Sequence, residues 1–257
     1  MEKREKMRKV PVAVQMYTLR DECEQDFFGT LKRVAELGFD GVELAGYGGY
    51  SVLEVKGMLD KLGLKVAGNH VPLEELQTNL DRVIEDQKIL RNQYVVCPYL
   101  FPHQRSEEDY QSLVPFLNKA GEICHQEGLT LCYHNHDFEL EPLSDGRKAL
   151  DTIFMDTNPE YVKAEFDVYW LTKADDNPVE WLKRYQNRTP LVHLKDMTLD
   201  EEKFFAELGT GGVDLQAILG RAEENEVKWW IIEQDASRRD PFESIEMSIQ
   251  YLKKAGL

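Results

Sequence analysis

Four strand-like hydrophobic runs in the second half of the chain each end in a residue of a type that binds metal ions. These residues are, in chain order, His134, Asp167, His193 and Glu233, with spacings of 33, 26 and 40 residues. Each spacing matches about one strand-plus-helix unit of a parallel barrel, whose strands bring their C-terminal ends to one shared face. Two imidazoles and two carboxylates there could hold one divalent ion and leave positions open for a substrate. A polar residue at the exit of a strand explains any one of them, but four in register favour a metal site.

The segments that must position these residues alternate between strand and helix patterns along the whole chain. Strands are predicted at 11–17, 41–45, 64–70, 94–98, 129–136, 162–167, 190–196 and 229–235. Helices are predicted at 26–37, 51–62, 73–84 and 106–127, after 145, and from 178, 214 and 241 onwards. This alternation indicates a parallel sheet with crossover helices. Eight such units without a linker predict a single α/β domain over residues 1–257, folded as a (β/α)8 TIM barrel.

The composition limits the partners of the protein. Its 257 residues are 42% hydrophobic, which is enough for one large core, and carry a net charge of −16. Nucleic acid is not expected as the main partner, because phosphate binding depends on Lys and Arg. A membrane-spanning segment is not expected either, because no apolar stretch approaches the roughly 20 residues that cross a bilayer.

The N-terminal segment and the cysteines favour a cytoplasmic location. Met1–Lys9 is charged with both signs and reads as a polar lead-in, so a secretory signal is not expected. The cysteines Cys23, Cys97, Cys124 and Cys132 form no C-x-x-C pair, which gives no support to a zinc knuckle or a thioredoxin-type site. A reducing cytoplasm is the simplest location for such a protein.

The chain resembles the sugar phosphate isomerase/epimerase family, which has a xylose isomerase-like barrel and whose relatives include inosose dehydratases and keto-sugar epimerases. The resemblance covers nearly the whole chain. Its most specific segments are VQMYTLRD (14–21), GFDGVEL (38–44), YHNHDFE (133–139), VHLKD (192–196) and EQD (233–235). The resemblance implies a xylose isomerase-like TIM barrel with its active site at the C-terminal mouth.

The resemblance also implies one divalent metal ion, held by Glu, Asp, His and Glu from the last four strands. Asp167, His193 and Glu233 match the last three positions, but many members read Glu-Asn-His where this chain reads His134-Asn135-His136. We therefore expect His134 in the place of the glutamate. His136 has the same strand parity and could replace it as ligand, touch the substrate or transfer a proton. The ion is expected to be Mn, Zn, Mg or Co, and the histidine could weaken binding or favour zinc.

Further catalytic candidates lie at other strand ends. Glu43 and His70 end the second and third strands and could together move a proton between two carbons of a bound sugar. The alternatives are a rim salt bridge for Glu43 and a satisfied loop histidine for His70. Lys195 would face inward, where its ammonium could polarise a carbonyl or enolate, or act as an acid if its pKa were depressed. An ion pair of Lys195 with Asp167 or Asp235 is the alternative there.

Two groups of residues are candidates for substrate contacts. Gln15, Tyr17, Tyr169 and Trp170 could contact a sugar, because aromatic faces pack on sugar rings, although aromatic residues at strand ends are also ordinary core. The loop at 209–212, Gly-Thr-Gly-Gly, could bind a phosphate through its amides, with a simple turn as the alternative.

These residues predict a metal-dependent isomerase or epimerase that acts on a keto-sugar or hydroxy-ketone through an enolate. A lyase or dehydratase, which would expel a β-substituent of a keto-sugar or keto-glycoside from the same enolate, is an alternative. A metal-dependent abasic-site nuclease shares the fold but needs a larger metal cluster and a basic DNA track, which the charge of −16 does not provide. A non-catalytic sugar-binding subunit is the third alternative, and a homo-oligomer is left open.

Overall fold

A computed structural model describes residues 10–257, so the polar lead-in predicted for Met1–Lys9 lies outside the described residues. The strands of the described residues are β1 (Val12–Gln15), β2 (Gly41–Leu44), β3 (Lys65–His70), β4 (Tyr94–Cys97), β5 (Thr130–His134), β6 (Val162–Asp167), β7 (Leu191–Leu194), β8 (Asp196–Met197), β9 (Phe205–Ala206) and β10 (Trp229–Ile232). Eight of them are parallel and close into a barrel in the order β1-β10-β7-β6-β5-β4-β3-β2, which confirms the predicted fold class.

Helices surround the barrel, and several begin with a side-chain cap. The helices are α1 (Arg20–Leu37), α2 (Val52–Leu62), α3 (Leu73–Thr78), α4 (Leu80–Leu90), α5 (Glu107–Gln126), α6 (Ala149–Asp156), α7 (Val168–Lys173), α8 (Pro178–Arg184), α9 (Leu215–Leu219) and α10 (Pro241–Lys254). Ser51 and Ser106 form capping boxes that fix the starts of α2 and α5. None of the helices within residues 10–257 is long and apolar enough to cross a membrane.

Apart from shifts in the bounds of several elements, the structure differs from the predicted elements in three places. The helix predicted over 73–84 is divided into α3 and α4 at Asn79, whose backbone is not helical (φ −135°, ψ 30°). No helix was predicted between the strand ending at 167 and the helix starting at 178, but α7 follows β6 directly and is capped by the Asp167 side chain. The strand predicted at 190–196 ends at Leu194, and the next residues pair instead in the antiparallel hairpin of β8 and β9.

The interior of the barrel has an apolar lower part. Eight buried side chains form a separate core cluster there, and they are Ala13, Ala67, Tyr94, Val96, Cys132, Leu191, Trp229 and Ile231. Most of them lie at or near the beginnings of their strands. This plug closes the N-terminal end of the barrel, as expected for a barrel whose interior is a packed core. Most of the inward positions that follow along the same strands are polar, and they form the site described next.

Candidate metal centre

A layer of polar and charged side chains lies above the apolar plug, at the C-terminal ends of the barrel strands. Its members are almost completely buried, and they are Glu43, His70, His134, Glu165, Asp167, His193, Lys195 and Glu233. The structure thus brings together all six residues that the sequence predicted at one mouth. Lys195, which the sequence also predicted to face inward, and Glu165, which it did not identify, lie among them.

Four donor atoms in this layer are arranged as a group that could hold a cation. One nitrogen each of His134 and His193 and one oxygen each of Asp167 and Glu233 lie within 4.8 Å of one another. Asp167 Oδ2 is 3.8 Å from His134 Nε2 and 4.0 Å from His193 Nδ1. These separations are close to the roughly 3.3 Å or more expected between two ligands that share one ion at about 2.0–2.1 Å. His136 is not part of the group.

Asp167 is oriented by its position between β6 and α7. Its Oδ1 accepts hydrogen bonds from the amides of Tyr169 (2.9 Å) and Trp170 (3.2 Å), as the N-cap of α7. Its own amide donates to Asn135 Oδ1 at 3.0 Å. Oδ2 is buried and accepts no well-directed hydrogen bond. One oxygen is therefore committed to the helix, and the other, which faces the Lys195 ammonium at 2.9 Å, is the one that a cation at this place would meet.

The two imidazoles of the donor group also contact buried carboxylates through their other nitrogens. His134 Nδ1 lies 2.9 Å from Glu165 Oε1. His193 Nε2 lies 2.6 Å from Glu43 Oε2 and 3.1 Å from Glu165 Oε1. If these nitrogens carry the protons, the opposite nitrogens of both rings present lone pairs to the donor group. This is the arrangement by which carboxylates usually orient metal-binding histidines.

A second compact group of donors consists of His70, His134, Glu165 and His193. We call the first group, His134, Asp167, His193 and Glu233, the outer group, because Asp167 lies two residues beyond Glu165 along β6. The closest contacts of the second group are of hydrogen-bond length, such as 2.8 Å between His70 Nε2 and Glu165 Oε1. These atoms are spaced as hydrogen-bonded pairs, whereas the two imidazole nitrogens nearest Asp167 Oδ2 lie 3.8 and 4.0 Å from it. In the outer group only His193 Nδ1 and Glu233 Oε2 are within hydrogen-bond distance, at 2.8 Å. We therefore take the outer group as the better cation site.

Glu43 is enclosed and does not line the cavity above the layer. It accepts hydrogen bonds from Gln15 Nε2 (2.8 Å) and from the rings of His193 and His70. Gly68 of the neighbouring strand makes room for it, since a Cβ there would overlap Glu43 Oε1. The prediction that Glu43 moves a proton on the substrate is not supported by this position. Gln15 is also fully buried, and its amide is used by Glu43, so it does not reach a substrate either.

Lys195 lies in the layer with 1% of its surface exposed, as its inward strand parity predicted. Its Nζ is 2.6 Å from Asp235 Oδ2, 2.8 Å from Glu233 Oε2 and 2.9 Å from Asp167 Oδ2. Burial opposes the charge, but these three carboxylates raise the pKa of Lys195 well above its usual value. The ammonium therefore stays charged, and a role as an acid with a depressed pKa is not supported.

The histidines of the layer differ in their protonation. Burial lowers the pKa of His134 well below its usual value, and the neighbouring His193 adds to this shift. For His193 and His70 burial acts in the same direction, but the adjacent carboxylates outweigh it. They raise the pKa of His193 well above its usual value and that of His70 to about 10. A metal ion at the outer group would thus meet a neutral His134 and would have to displace a proton from His193.

A cavity of about 930 Å³ opens above the layer. His70, His134, His136, Glu233 and Asp235 form part of its lining. Two predicted substrate contacts, Tyr17 and Trp170, also line it. The third aromatic candidate does not: Tyr169 is 1% exposed, its ring stacks on Phe205, and its hydroxyl donates to the Lys203 carbonyl at 2.7 Å. Tyr169 is therefore part of the wall behind the cavity.

The loop at 209–212 does not offer its amides to a phosphate. Asp196 Oδ2 accepts hydrogen bonds from the backbone amides of Gly209 and Gly211, each at 2.9 Å. The amides of Thr210 and Gly212 donate to backbone carbonyls. The alternative of a simple turn is therefore correct, and the carboxylate of Asp196 holds that turn.

The sequence interpretation missed Glu165 and gave Asp235 no role beyond a partner for Lys195. A signal for Glu165 was present, because it lies two residues before Asp167 on the same strand and so faces the same side. Asp235 lies two residues past Glu233 in the same way. Strand parity, applied to every acidic residue of these segments, would have identified both.

Comparisons with known proteins agree with this architecture. A family model described as a xylose isomerase-like TIM barrel matches residues 31–255. An inosose dehydratase of Clostridium beijerinckii is 29% identical over 168 residues, which cover 58% of this chain and 55% of that relative. The match thus spans only about half the length of this curated relative.

Solved structures match over nearly the whole chain. A sugar phosphate isomerase/epimerase from Parabacteroides distasonis is 26% identical with a TM-score of 0.81, and the match covers 98% of this chain and 96% of that one. A protein called IolI, solved with a bound zinc atom, is 16% identical with a TM-score of 0.73, and the match covers 95% and 97% of the two chains. At 16% identity, the similarity to the IolI structure shows only that the two proteins share a fold.

Proposed function

Because the chain belongs to the xylose isomerase-like TIM barrel family, whose members include isomerases, epimerases and dehydratases, we propose that it is a metal-dependent enzyme of sugar metabolism. Its substrate would be a keto-sugar or hydroxy-ketone, and its reaction an isomerisation or epimerisation through an enolate. The observation that carries the proposal is the outer donor group of His134, Asp167, His193 and Glu233 at the floor of the cavity.

The residues of the outer group fit a divalent cation. The buried layer and its rim contain five carboxylates, which outnumber Lys195 and the two protonated histidines, His70 and His193, so a further positive charge is favourable there. A divalent ion at this place would polarise a carbonyl oxygen and acidify the adjacent C–H bond. Mn, Zn, Mg and Co remain the candidates, and the two imidazoles favour zinc, the ion found in the IolI structure.

The side chains around the outer group could perform the proton transfers. His136 lines the cavity, burial lowers the pKa of its ring well below the usual value, and its Nδ1 has no hydrogen-bond partner. His70 lines the same cavity with a raised pKa. A neutral and a protonated imidazole on either side of His134 form a base and an acid with separated pKa values. The Lys195 ammonium would stabilise negative charge on the enolate oxygen.

Solvent exchange of the substrate α-proton tests the proposal. In deuterium oxide, the enzyme loaded with zinc or manganese is expected to replace the α-proton of a keto-sugar with deuterium, as measured by mass spectrometry. The matched control is the corresponding sugar alcohol, which has no carbonyl group and should not exchange. Absence of exchange across a panel of keto-sugars under metal saturation would contradict an enolate mechanism and favour a non-catalytic sugar-binding role.

A dehydratase or lyase is the second candidate, and the match to an inosose dehydratase favours it. The same enolate would expel a substituent at the β-carbon, and protonated His70 could supply the proton that the leaving group needs. Product analysis separates the two reactions, because loss of water lowers the mass of the product by one water molecule and an epimerisation leaves it unchanged.

The proposed partner is a small-molecule sugar, and the proposed location remains the cytoplasm. All four cysteines are free, which suits a reducing compartment. A homo-oligomer also stays a proposal, which measurement of the mass in solution would decide.

A further inference from the structure

The cavity above the outer group has two walls of different chemistry. Tyr47, Asn69 and Gln87 contribute to one wall, next to His70. The other wall, which we call the aromatic wall, consists of Tyr99, Phe101, Phe138 and Trp170. It adjoins His136, whose ring lies 5.0 Å from Tyr99 and 5.2 Å from Trp170.

The two walls meet at the outer group. The ring of His134 lies 5.3 Å from that of His70 and 5.0 Å from that of His136. His70 follows Asn69 of the polar wall in sequence, and His136 packs against the aromatic wall. A molecule bound over His134 would therefore extend toward a polar surface on one side and an aromatic surface on the other.

The polar wall is suited to hydroxyl groups. Asn69 Nδ2 lies 3.3 Å from both Tyr47 Oη and Gln87 Oε1, and Asn69 Oδ1 is buried without a hydrogen-bond partner. Asn69 is only 3% exposed, so this acceptor is held in place by the surrounding structure. Amide and phenol groups in such a network both donate and accept, as the hydroxyls of a sugar require.

The aromatic wall presents ring surface to the solvent. Tyr99 meets Phe101 and Phe138 edge to face, at 5.5 and 5.6 Å between ring centroids. Tyr99 is 36% and Phe101 55% exposed, although large aromatic side chains usually bury their surface. Exposed aromatic surface that lines a cavity is a common sign of a ligand-binding surface.

The charges near this wall do not suit a phosphate group. Arg105 lies there, but its guanidinium packs on the ring of Phe138, 3.5 Å from the centroid, its Nε donates to the Leu100 carbonyl, and its buried Nη2 has no hydrogen-bond partner. The acidic side chains Asp137, Glu233 and Asp235 line the same cavity. A neutral aromatic group is therefore a better occupant than an anion.

We propose that the aromatic wall is a second subsite, which binds an aryl substituent carried by the sugar. The substrate class would then be aryl-substituted keto-sugars, with the sugar over the outer group and the aryl ring on Tyr99 and Phe101. The cavity of about 930 Å³ has the size for this, since pockets of roughly 300–1,000 Å³ hold drug-sized ligands. The identity of the sugar end rests on the proposed function, whereas the aryl subsite rests on the wall itself.

Binding of two unreactive glycosides tests the subsite. Isothermal titration of the zinc-loaded protein with phenyl β-glucoside and methyl β-glucoside is expected to show about tenfold or tighter binding of the phenyl compound. Phe101→Ala together with Tyr99→Ala should remove most of that preference and leave the affinity for the methyl glycoside unchanged. Leu53→Ala, which alters an exposed residue outside the cavity, is the matched control and should keep the preference.

The outcomes for the subsite and for the proposed function are separate. Equal affinity for the two glycosides, undetectable binding of the phenyl glycoside, or an unchanged preference in the double variant would each overturn the aryl subsite. Exchange of the α-proton of an unsubstituted keto-sugar requires the outer group and the side chains around it, but no aryl ring. Exchange without an aryl preference would refute the subsite alone, and an aryl preference without exchange would refute the enolate chemistry alone.

Discussion

His134 and Glu165 are register partners on the neighbouring strands β5 and β6, and His134 Nδ1 lies 2.9 Å from Glu165 Oε1. This contact commits one nitrogen of the ring to a buried carboxylate. The other nitrogen is then directed at Asp167 and the outer group. Glu165 therefore acts on the proposed metal site without being one of its four donors.

Replacing Glu165 with glutamine should weaken metal binding. The variant keeps the shape of the side chain but loses the negative charge that orients His134 and His193. Loss of such a partner commonly lowers metal affinity by about 10–100-fold. Competition with a chelator measures the affinity, with Glu160→Gln on the exposed turn before β6 as the control. Equal affinity in Glu165→Gln and the wild type would show that this carboxylate does not orient the ligands.

Replacing Glu233 with glutamine should remove most of the bound metal. The substitution takes away one of the two anionic donors of the outer group while preserving the volume of the side chain. Elemental analysis of purified protein gives the metal content per chain, and Glu224→Gln, at an exposed position, serves as the control. An unchanged metal content would exclude Glu233 as a ligand.

Replacing Lys195 with methionine should slow α-proton exchange by about 10²-fold or more, the usual effect of losing one electrostatic donor at an enolate. Metal content should be retained, because Lys195 is not among the donors and its removal frees Asp167 and Glu233 from their ion pairs. Exchange at the wild-type rate would mean that the lysine only balances the buried carboxylates.

Metal binding should release protons and become tighter as the pH rises. Glu165, Glu43 and Glu233 outweigh burial and raise the pKa of His193 well above its usual value, so the metal-free ring is protonated at neutral pH. A metal ion requires the neutral ring and therefore competes with that proton. Calorimetry in buffers with different ionisation enthalpies measures the release, which should be about one proton or more per ion. A binding enthalpy independent of the buffer would contradict this protonation of His193.

Replacing Glu139 with glutamine should stabilise the protein increasingly as the pH rises. Glu139 is fully buried against Tyr133 and the amide of His136, and burial raises its pKa from 4.5 to about 7. The folded protein thus binds this proton more tightly than the unfolded chain. The Glu139 contribution to stability therefore falls as the pH rises between these two values.

In the Glu139→Gln variant, residue 139 does not ionise, so its contribution to stability does not change with pH. The free energy of unfolding of the variant minus that of the wild type should grow by up to about 3 kcal/mol between about pH 5 and about pH 8. Urea denaturation at several pH values measures the difference. A difference that stays constant across this range would mean that Glu139 ionises normally in the folded protein.

The residues at the ends of the barrel strands could be predicted from the sequence. His134, Asp167, His193 and Glu233 follow buried runs at regular intervals, and parallel strands deliver such positions to one face whatever their exact bounds. Lys195 was placed inward correctly because alternation along a strand fixes the side to which a residue points.

Contacts across the barrel could not be predicted in the same way. His193 meets Glu43 over 150 residues and His70 meets Glu165 over 95 residues, and neither pair lies on neighbouring strands. Which inward groups meet depends on the closure of the barrel and on the height of each residue in it. For that reason Glu43, a correct inward residue, was expected to reach the substrate when it is in fact enclosed beneath the histidines.

His134 contacts Glu165 through Nδ1 and faces Asp167 through Nε2. These two contacts also constrain how the site could change by mutation. A glutamate at this position, which the resemblance gives for many members of the family, would set its carboxylate beside Glu165, with Glu43 close by in the same closed interior. Replacing His134 alone by glutamate would thus exchange a hydrogen-bonded pair for two buried like charges, which is costly. Positions 134 and 165 are therefore expected to vary together among related sequences, with glutamate at 134 accompanied by a neutral residue at 165.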